Sequence, residues 1–283
     1  MPEVMAKCLF ALLLSVFIYC LTSSTSYAGV SIEPSIKANH KKNSHKTSPL
    51  RIAVSANFSP ILTQILPEFT RKHNIKVDII SGASGALYQQ IIHGAPYDMF
   101  LSADDVHPKK LSKNLLIVKD SRQTYALGQL AFWSAEQAID PTQNITDVLL
   151  KYKNNAYRVA LANPNTAPYG NRAYQALQSL DLWQHFKNKI ITGINVSQTF
   201  QQLRSGSVKG GFVALSQLKV NNLQGLTVPA TLYSPIKQQL VILKRSEQIN
   251  AAKKLAKFLQ SNESQKIIER YGYETATQLK YYD

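Results

Sequence analysis

From residue 51 onward, short apolar, β-branched runs alternate with amphipathic helical patterns, and this alternation limits the possible folds more than any other feature. The runs RIAVSA (51–56), KVDIIS (76–81), DMFLSA (98–103), RVALAN (158–163), IITGI (190–194) and GGFVAL (210–215) read as buried strands. Helical patterns follow at Ser59 to His73, Ser84 to His93, Tyr169 to Leu180 and Val196 to Ser205, and Pro67 should kink or split the first of them. Strand–helix alternation of this kind predicts α/β architecture with mainly parallel sheets. Two runs, 126–135 and 238–245, have no helix directly after them, as expected of long strands that pass from one lobe into another. Helices over 246–260 and 262–271 would then return to the first lobe. The expected layout is a first lobe of residues 51–128 and 237–283 and a second lobe of residues 129–236.

Ahead of this body, residues 1–28 carry the marks of a secretory signal: a charged start at Lys7, an apolar run from Cys8 to Leu21, and Ser26-Tyr27-Ala28 before Gly29. The apolar run is short for a membrane span. Both cysteines, Cys8 and Cys20, lie in this segment, so an exported chain would have no disulfide, thiolate metal site or cysteine nucleophile. Lipid anchoring at Cys20 is disfavoured because Tyr19 stands where a small residue is wanted. Residues 29–50 hold four lysines and two histidines without apolar periodicity and read as a basic disordered leader. The formal net charge is +15, and loss of Lys7 and Glu3 with the signal leaves it unchanged. For an exported protein that excess fits a solvated basic surface, with attraction to acidic membrane surfaces, better than nucleic-acid binding.

In α/β sheets, ligands collect beyond the carboxyl ends of the strands. Four loops at such ends are rich in short polar side chains, Gly and Pro: Asn57-Phe58-Ser59-Pro60, Gly82-Ala83-Ser84-Gly85, residues 164–170 (PNTAPYG) and Asn195-Val196-Ser197. A sharp turn feeding a helix start leaves backbone N–H groups unpaired and converging, which suits an anion. Any single loop is equally well explained as an ordinary helix N-cap. Asp98, Asp104 and Asp105, flanking the third strand, read as caps or structural links.

These loops also carry a family resemblance. AVSANFSPIL (53–62) and SGASGALYQQIIHGAPYDMFLSAD (81–104) resemble the periplasmic molybdate-binding proteins of bacterial ABC importers. The likeness continues through ANPNTAPYGNRAYQAL (162–177), NVSQTF (195–200), GGFVALSQL (210–218) and SQKIIERYGYE (264–274). It implies the type II periplasmic binding protein fold, with two α/β lobes, two crossover strands and an oxyanion in the cleft. It further implies Asn57 and Ser84 as first-lobe ligands with a backbone N–H from Ala56, and Tyr169 and Val196 as second-lobe ligands, Val196 through its backbone N–H. One branch of the family uses a tyrosine hydroxyl after the GFV-like strand. Here that position is Ala214, and the tyrosine stands at 169 instead, so the two roles are expected to be exchanged. The implied protein is a periplasmic monomer with no catalytic residues and no cofactor. It would hold molybdate or tungstate without direct metal ligands, have no nucleic-acid partner and serve an ABC permease in the cytoplasmic membrane.

The residue chemistry agrees with a fully deprotonated oxyanion, which only accepts hydrogen bonds, because the four loops contain no Asp or Glu. Other anions are the alternative; a carboxylate would call for an Arg clamp, and only Arg172 and Arg204 lie near the loops. A different class of function, a secreted hydrolase with Ser84 as nucleophile and His93 or His107 as base, is the remaining reading. The turn lacks the G-x-S-x-G spacing of a nucleophile elbow.

Overall fold

A computed structural model describes residues 48–275, and the statements below concern those residues. The expected signal segment 1–28 with Cys20, and the leader as far as residue 47, lie outside them. Ser48 to Leu50 do not behave as leader: Leu50 opens the first strand, is fully buried and pairs with Val77.

Ten strands and ten helices run in the order β1 (Leu50–Ser55), α1 (Ser59–His73), β2 (Val77–Gly82), α2 (Ser84–Ile92), β3 (Met99–Leu101), α3 (Val106–Lys113), β4 (Gln123–Gly128), β5 (Leu130–Trp133), α4 (Ile145–Asn154), β6 (Val159–Ala162), α5 (Pro168–Ser179), α6 (Trp183–Phe186), β7 (Ile190–Gly193), α7 (Val196–Arg204), β8 (Gly210–Ala214), α8 (Leu215–Val220), β9 (Leu226–Thr227), β10 (Ile236–Ile242), α9 (Ile249–Leu259) and α10 (Asn262–Arg270). They build two five-stranded sheets of matching design, ordered β2-β1-β3-β10-β4 and β7-β6-β8-β5-β9. Each keeps a parallel trio (β2-β1-β3; β7-β6-β8) and inserts one strand antiparallel to both of its neighbours, β10 in the first and β5 in the second. The fold is therefore α/β with two mixed sheets.

The chain changes sheet between Gly128 and Leu130, and again as β10 begins at Ile236. Beside Gly128 the C-terminal segment returns, Leu127 and Glu274 exchanging two backbone hydrogen bonds. Strand alternation sends side chains to opposite faces. In β1, Ile52 and Val54 join the core under α1, α9 and α10, and Ala53 joins the core under α2 and α3. In β5, Leu130 and Phe132 face one core of the second sheet and Ala131 and Trp133 the other. Pro67 does not split α1: Ile61, Leu62, Ile65, Leu66 and Phe69 are all buried against the sheet and hold the helix together across the missing bond. No described helix is long and apolar enough to cross a membrane.

Candidate functional site

The parallel strands β1, β2, β6 and β7 end at the four polar loops, and these loops meet around one small cavity. It is lined by Ser55, Ala56 and Asn57 after β1, and by Gly82, Ala83 and Ser84 at the β2–α2 turn. Ala103, Ala167-Pro168-Tyr169 at the start of α5, and Asn195-Val196 at the start of α7 complete it. None of these residues is charged. The free space is small, on the scale of one or a few water molecules and too small for an organic metabolite.

The helix starts behave differently from ordinary N-caps. The N-cap residues of α1, α2 and α5 are Phe58, Ala83 and Ala167, and none makes a side-chain capping bond. Only Asn195 does so, its Oδ1 accepting from the Gln198 N–H at 2.9 Å. First-turn N–H groups have no partner inside their own helix; the starts of α2, α5 and α7 bring Ser84, Tyr169 and Val196 to the cavity, whereas in α1 the Ile61 and Leu62 N–H groups return to Phe58 C=O and in α2 the Gly85 N–H goes to Thr166 C=O. In α5, Pro168 at the first position has no N–H, and Tyr169 supplies the first donor of that turn.

Ser84 is fully buried, and its Oγ accepts the Ala103 N–H at 2.9 Å. With its lone pair so used, its own proton remains to be donated. Asn57, also buried, turns its amide away from this role: Nδ2 donates to Gln238 Oε1 at 3.1 Å and to the Tyr273 hydroxyl at 3.0 Å. Asn57 thus meets the cavity through its backbone. The Tyr169 hydroxyl accepts from Gln238 Nε2 at 3.2 Å. Burial raises its pKa well above that of a free phenol, as it does for Tyr125, and pushes Tyr273 up to about 12, so these hydroxyls stay protonated donors. Ser55, Gly128 and Gln238 had no local signal in the sequence. Ser55 lines the cavity with its buried Oγ unpartnered among the described residues. Gln238 lies in the core of β10 and is reached only through the fold.

Direct bonds join the loops of the two sheets. Gly85 N–H donates to Thr166 C=O at 2.8 Å, and Ser197 Oγ donates to Ala56 C=O at 3.1 Å. The acids flanking β3 serve the structure. Asp98 accepts from Arg51 N–H at 2.7 Å and from Ser246 Oγ at 2.6 Å. Asp104 accepts from Ser102 Oγ and from the His107 N–H, and its Oδ2 lies 2.7 Å from His107 Nδ1. Asp105 is the N-cap residue of α3 without a capping bond. Arg172 is buried on α5, bonded to Asn171 Oδ1 and Pro235 C=O, and Arg204 bonds Asn221 on the surface; neither lines the cavity. Among the described residues no histidine is hydrogen-bonded to Ser84: His107 is committed to Asp104 and packs on Tyr88, and His93 bonds Gln89 C=O. No group of three or more His, Cys, Asp or Glu among the described residues could hold a metal ion.

Residues 50–274 match the family model described as bacterial extracellular solute-binding protein. The molybdate-binding protein ModA of Azotobacter vinelandii is 37% identical over 233 residues, covering 81% of this chain and 90% of that protein. ModA of Rhodobacter capsulatus is 39% identical over 225 residues, covering 79% and 87%. Among solved structures, the Azotobacter vinelandii periplasmic molybdate-binding protein superposes with a TM-score of 0.74 at 34% identity, over 80% of this chain and 98% of that one.

Proposed function

The chain belongs to the bacterial extracellular solute-binding protein family, and on that premise we propose that it captures molybdate in the cavity between its two sheets and delivers it to an ABC permease. The observation that carries this reading is the convergence of the α2, α5 and α7 helix starts and a buried serine hydroxyl on a small space with no charged lining residue. Neutral donors satisfy an ion that only accepts. A carboxylate in the wall would repel it, and a monoprotonated phosphate would leave its own proton without an acceptor.

Four residues form the proposed donor set: the Ser84 hydroxyl and the backbone N–H groups of Asn57, Tyr169 and Val196; the expected Ala56 N–H drops out, because it is donated to Gly82 C=O at 2.9 Å as the β1–β2 pairing runs one residue past the strand end. Size then decides between ions of like charge. Donors placed for a larger tetrahedral ion make long, weak bonds to sulfate, and each charge-assisted bond is worth about 1.5–3 kcal/mol. A few such losses amount to several powers of ten at about 1.4 kcal/mol per tenfold. Tungstate, nearly equal in size and charge to molybdate, is expected to compete for the same site.

We take residues 51–128 with 237–283 and residues 129–236 as the moving bodies, hinged where the chain changes sheet; the presence of one five-stranded sheet in the described part of each supports this division. Ligand contacts from both sides favour the closed arrangement that the permease would recognise. The signal-like segment and the likeness to a periplasmic molybdate-binding protein support export to the periplasm and action as a binding protein rather than an enzyme, and we take the working form to be a monomer.

Calorimetry of the purified protein with molybdate, tungstate, sulfate and phosphate tests the reading. Tight binding of the first two and none of the others supports it; preference for sulfate would replace the ligand, and esterase turnover abolished by Ser84→Ala would replace the function. Scattering that shows no compaction on adding molybdate would count against the hinge.

A further inference from the structure

One peptide of the cavity wall is held from the opposite sheet. Ser55 C=O accepts the Phe58 N–H at 3.0 Å, which makes residues 55–58 a β-turn with the Ala56–Asn57 peptide at its centre. Both of these residues line the cavity. Neither the closing bond of the turn nor the Ala56 N–H bond to Gly82 C=O fixes which way that central peptide faces. Turns of type I and type II share the closing bond and differ by the central peptide turned over, the second form needing a positive φ at the third residue, which asparagine tolerates. Asn57 does not have a positive φ here, so the type II form is not adopted.

The hold on this peptide comes from the start of α7. Ala56 C=O can only accept, and it takes the Ser197 hydroxyl proton at 3.1 Å. The Ser197 oxygen in turn receives Gln217 Nε2 at 3.4 Å, and the same Nε2 donates to Val196 C=O at 3.2 Å. The Gln217 amide cannot be reversed, because its Oε1 accepts the Ala214 N–H at 3.1 Å. A trans peptide is planar, so its C=O and N–H turn as one body. The other end of the peptide that Ser197 holds is the Asn57 N–H, which has no partner among the described residues.

We propose that Ser197, braced by Gln217, is a positioning residue that sets the facing of the Ala56–Asn57 peptide from the opposite lobe, so that the Asn57 N–H becomes a fixed donor only when the lobes close. The proposal rests on the oxyanion-binding and hinge readings above and adds a coupling between them. A carbonyl that accepts a hydrogen bond polarises its peptide and strengthens the N–H as a donor. With the lobes apart, Ser197 withdraws and the peptide is free to turn over, so opening and loss of a first-lobe donor are one event.

The test compares the wild type with Ser197→Ala and Ser197→Thr. Molybdate binding is read by calorimetry, release by stopped flow, folding by thermal unfolding without ligand, and the bond itself by the NMR resonance of the Ala56 carbonyl carbon. Ser197→Ala should weaken binding about threefold to tenfold, the net worth of about one hydrogen bond, mostly through faster release. Its ligand-free melting temperature should match that of the wild type, because the bond is made only on closure. Ser197→Thr keeps the hydroxyl and should restore both affinity and release rate. The Ala56 resonance should move further on adding molybdate in the wild type and in Ser197→Thr than in Ser197→Ala. Unchanged affinity in Ser197→Ala, with the wild type binding molybdate, would overturn the positioning role alone. A lowered ligand-free melting temperature would make the bond part of the fold and overturn the coupling to closure. Should the wild type prefer sulfate, the ligand reading falls, and the same comparison read with sulfate decides the role of Ser197; a wild type that binds no oxyanion overturns both.

Discussion

Gly85→Ala separates closure from folding. Gly85 is the second residue of α2, and its N–H reaches across to Thr166 C=O at 2.8 Å. A Cβ on residue 85 would lie 2.8 Å from the Thr166 oxygen and 3.0 Å from the Thr166 Cα, both backbone atoms that cannot swing aside. Relief requires the loops to part by several tenths of an ångström. Overpacking of this kind costs about 1–3 kcal/mol, and under the proposed hinge the cost falls on the closed arrangement, in which residues 85 and 166 would touch as they do here. Molybdate affinity should drop by about 5-fold to 150-fold, at about 1.4 kcal/mol per tenfold. With the lobes apart, the same substitution removes a glycine from a helix, a change that favours the folded lobe by up to about 1 kcal/mol. Calorimetry should therefore show weakened binding in a protein whose ligand-free melting temperature is unchanged or slightly raised. Unchanged affinity would refute the closing contact; a lowered ligand-free melting temperature would show that the contact belongs to the fold and not to a closing step.

Ser84→Ala should weaken molybdate binding tenfold or more, since it removes a hydroxyl donor and strands the Ala103 N–H, a loss of about 1–3 kcal/mol that titration calorimetry resolves. Asn57→Ala should weaken binding by a comparable factor through the lost bonds to Gln238 and Tyr273, and unchanged affinity in both variants would remove the first-lobe assignment. Gly128→Ala should lower both affinity and thermal stability, because its Cβ collides with the Tyr169 hydroxyl and Gln238 Nε2 in the core. Burial pushes the Asp104 carboxyl up, but the His107 hydrogen bond and charge, with the His107 N–H and Ser102, outweigh it and hold the pKa below the unfolded value of 3.8. A depressed carboxyl pKa stabilises the fold above the unfolded value, and that stability is lost as the pH falls through the folded value. Asp104→Asn should accordingly cost about 1–3 kcal/mol near neutrality and progressively less in acid, as read by denaturant titration from pH 7 to 2.

The sheets were legible because parallel strands are buried on both faces and read as continuous apolar runs; the expected strands fall within a residue or two of those observed at β1, β2, β6, β7 and β8. The helices α3 and α8 were not, because α3 (VHPKKLSK) buries only Pro108 and Leu111, and α8 continues directly from a strand. In α4 the signal was present: Asn144 caps the helix, and Ile145, Val148, Leu149 and Tyr152 form its buried face at helical spacing. The loops of the proposed anion site could be located from their residue types, since Gly, Ser and Asn after an apolar run mark strand-to-helix turns. Which atoms of those residues face the ion could not. The Asn57 amide turns to Gln238 and Tyr273 because distant β10 and the C-terminal segment offer it partners, and separations of 181 and 216 residues leave no local trace.

A cavity without a cation, in a chain of net charge +15, has a physical reason. A lysine or arginine in the wall would attract every anion with nearly the same Coulomb energy, since that energy varies only as the inverse of distance. Hydrogen bonds from fixed N–H and O–H groups weaken steeply with length and angle, so they convert small differences in ionic radius into large differences in affinity. The strands make such donors rigid, since each loop is anchored between a buried strand and a helix, and the polar chain through Gln238 stiffens the wall from behind. The helix starts contribute partial positive charge in the same place. The basic surface acts at long range, raising the local concentration of anions without choosing among them. High salt should consequently slow association while leaving the molybdate-to-sulfate ratio unchanged, and stopped-flow binding at several ionic strengths would show whether attraction and selection are divided in this way.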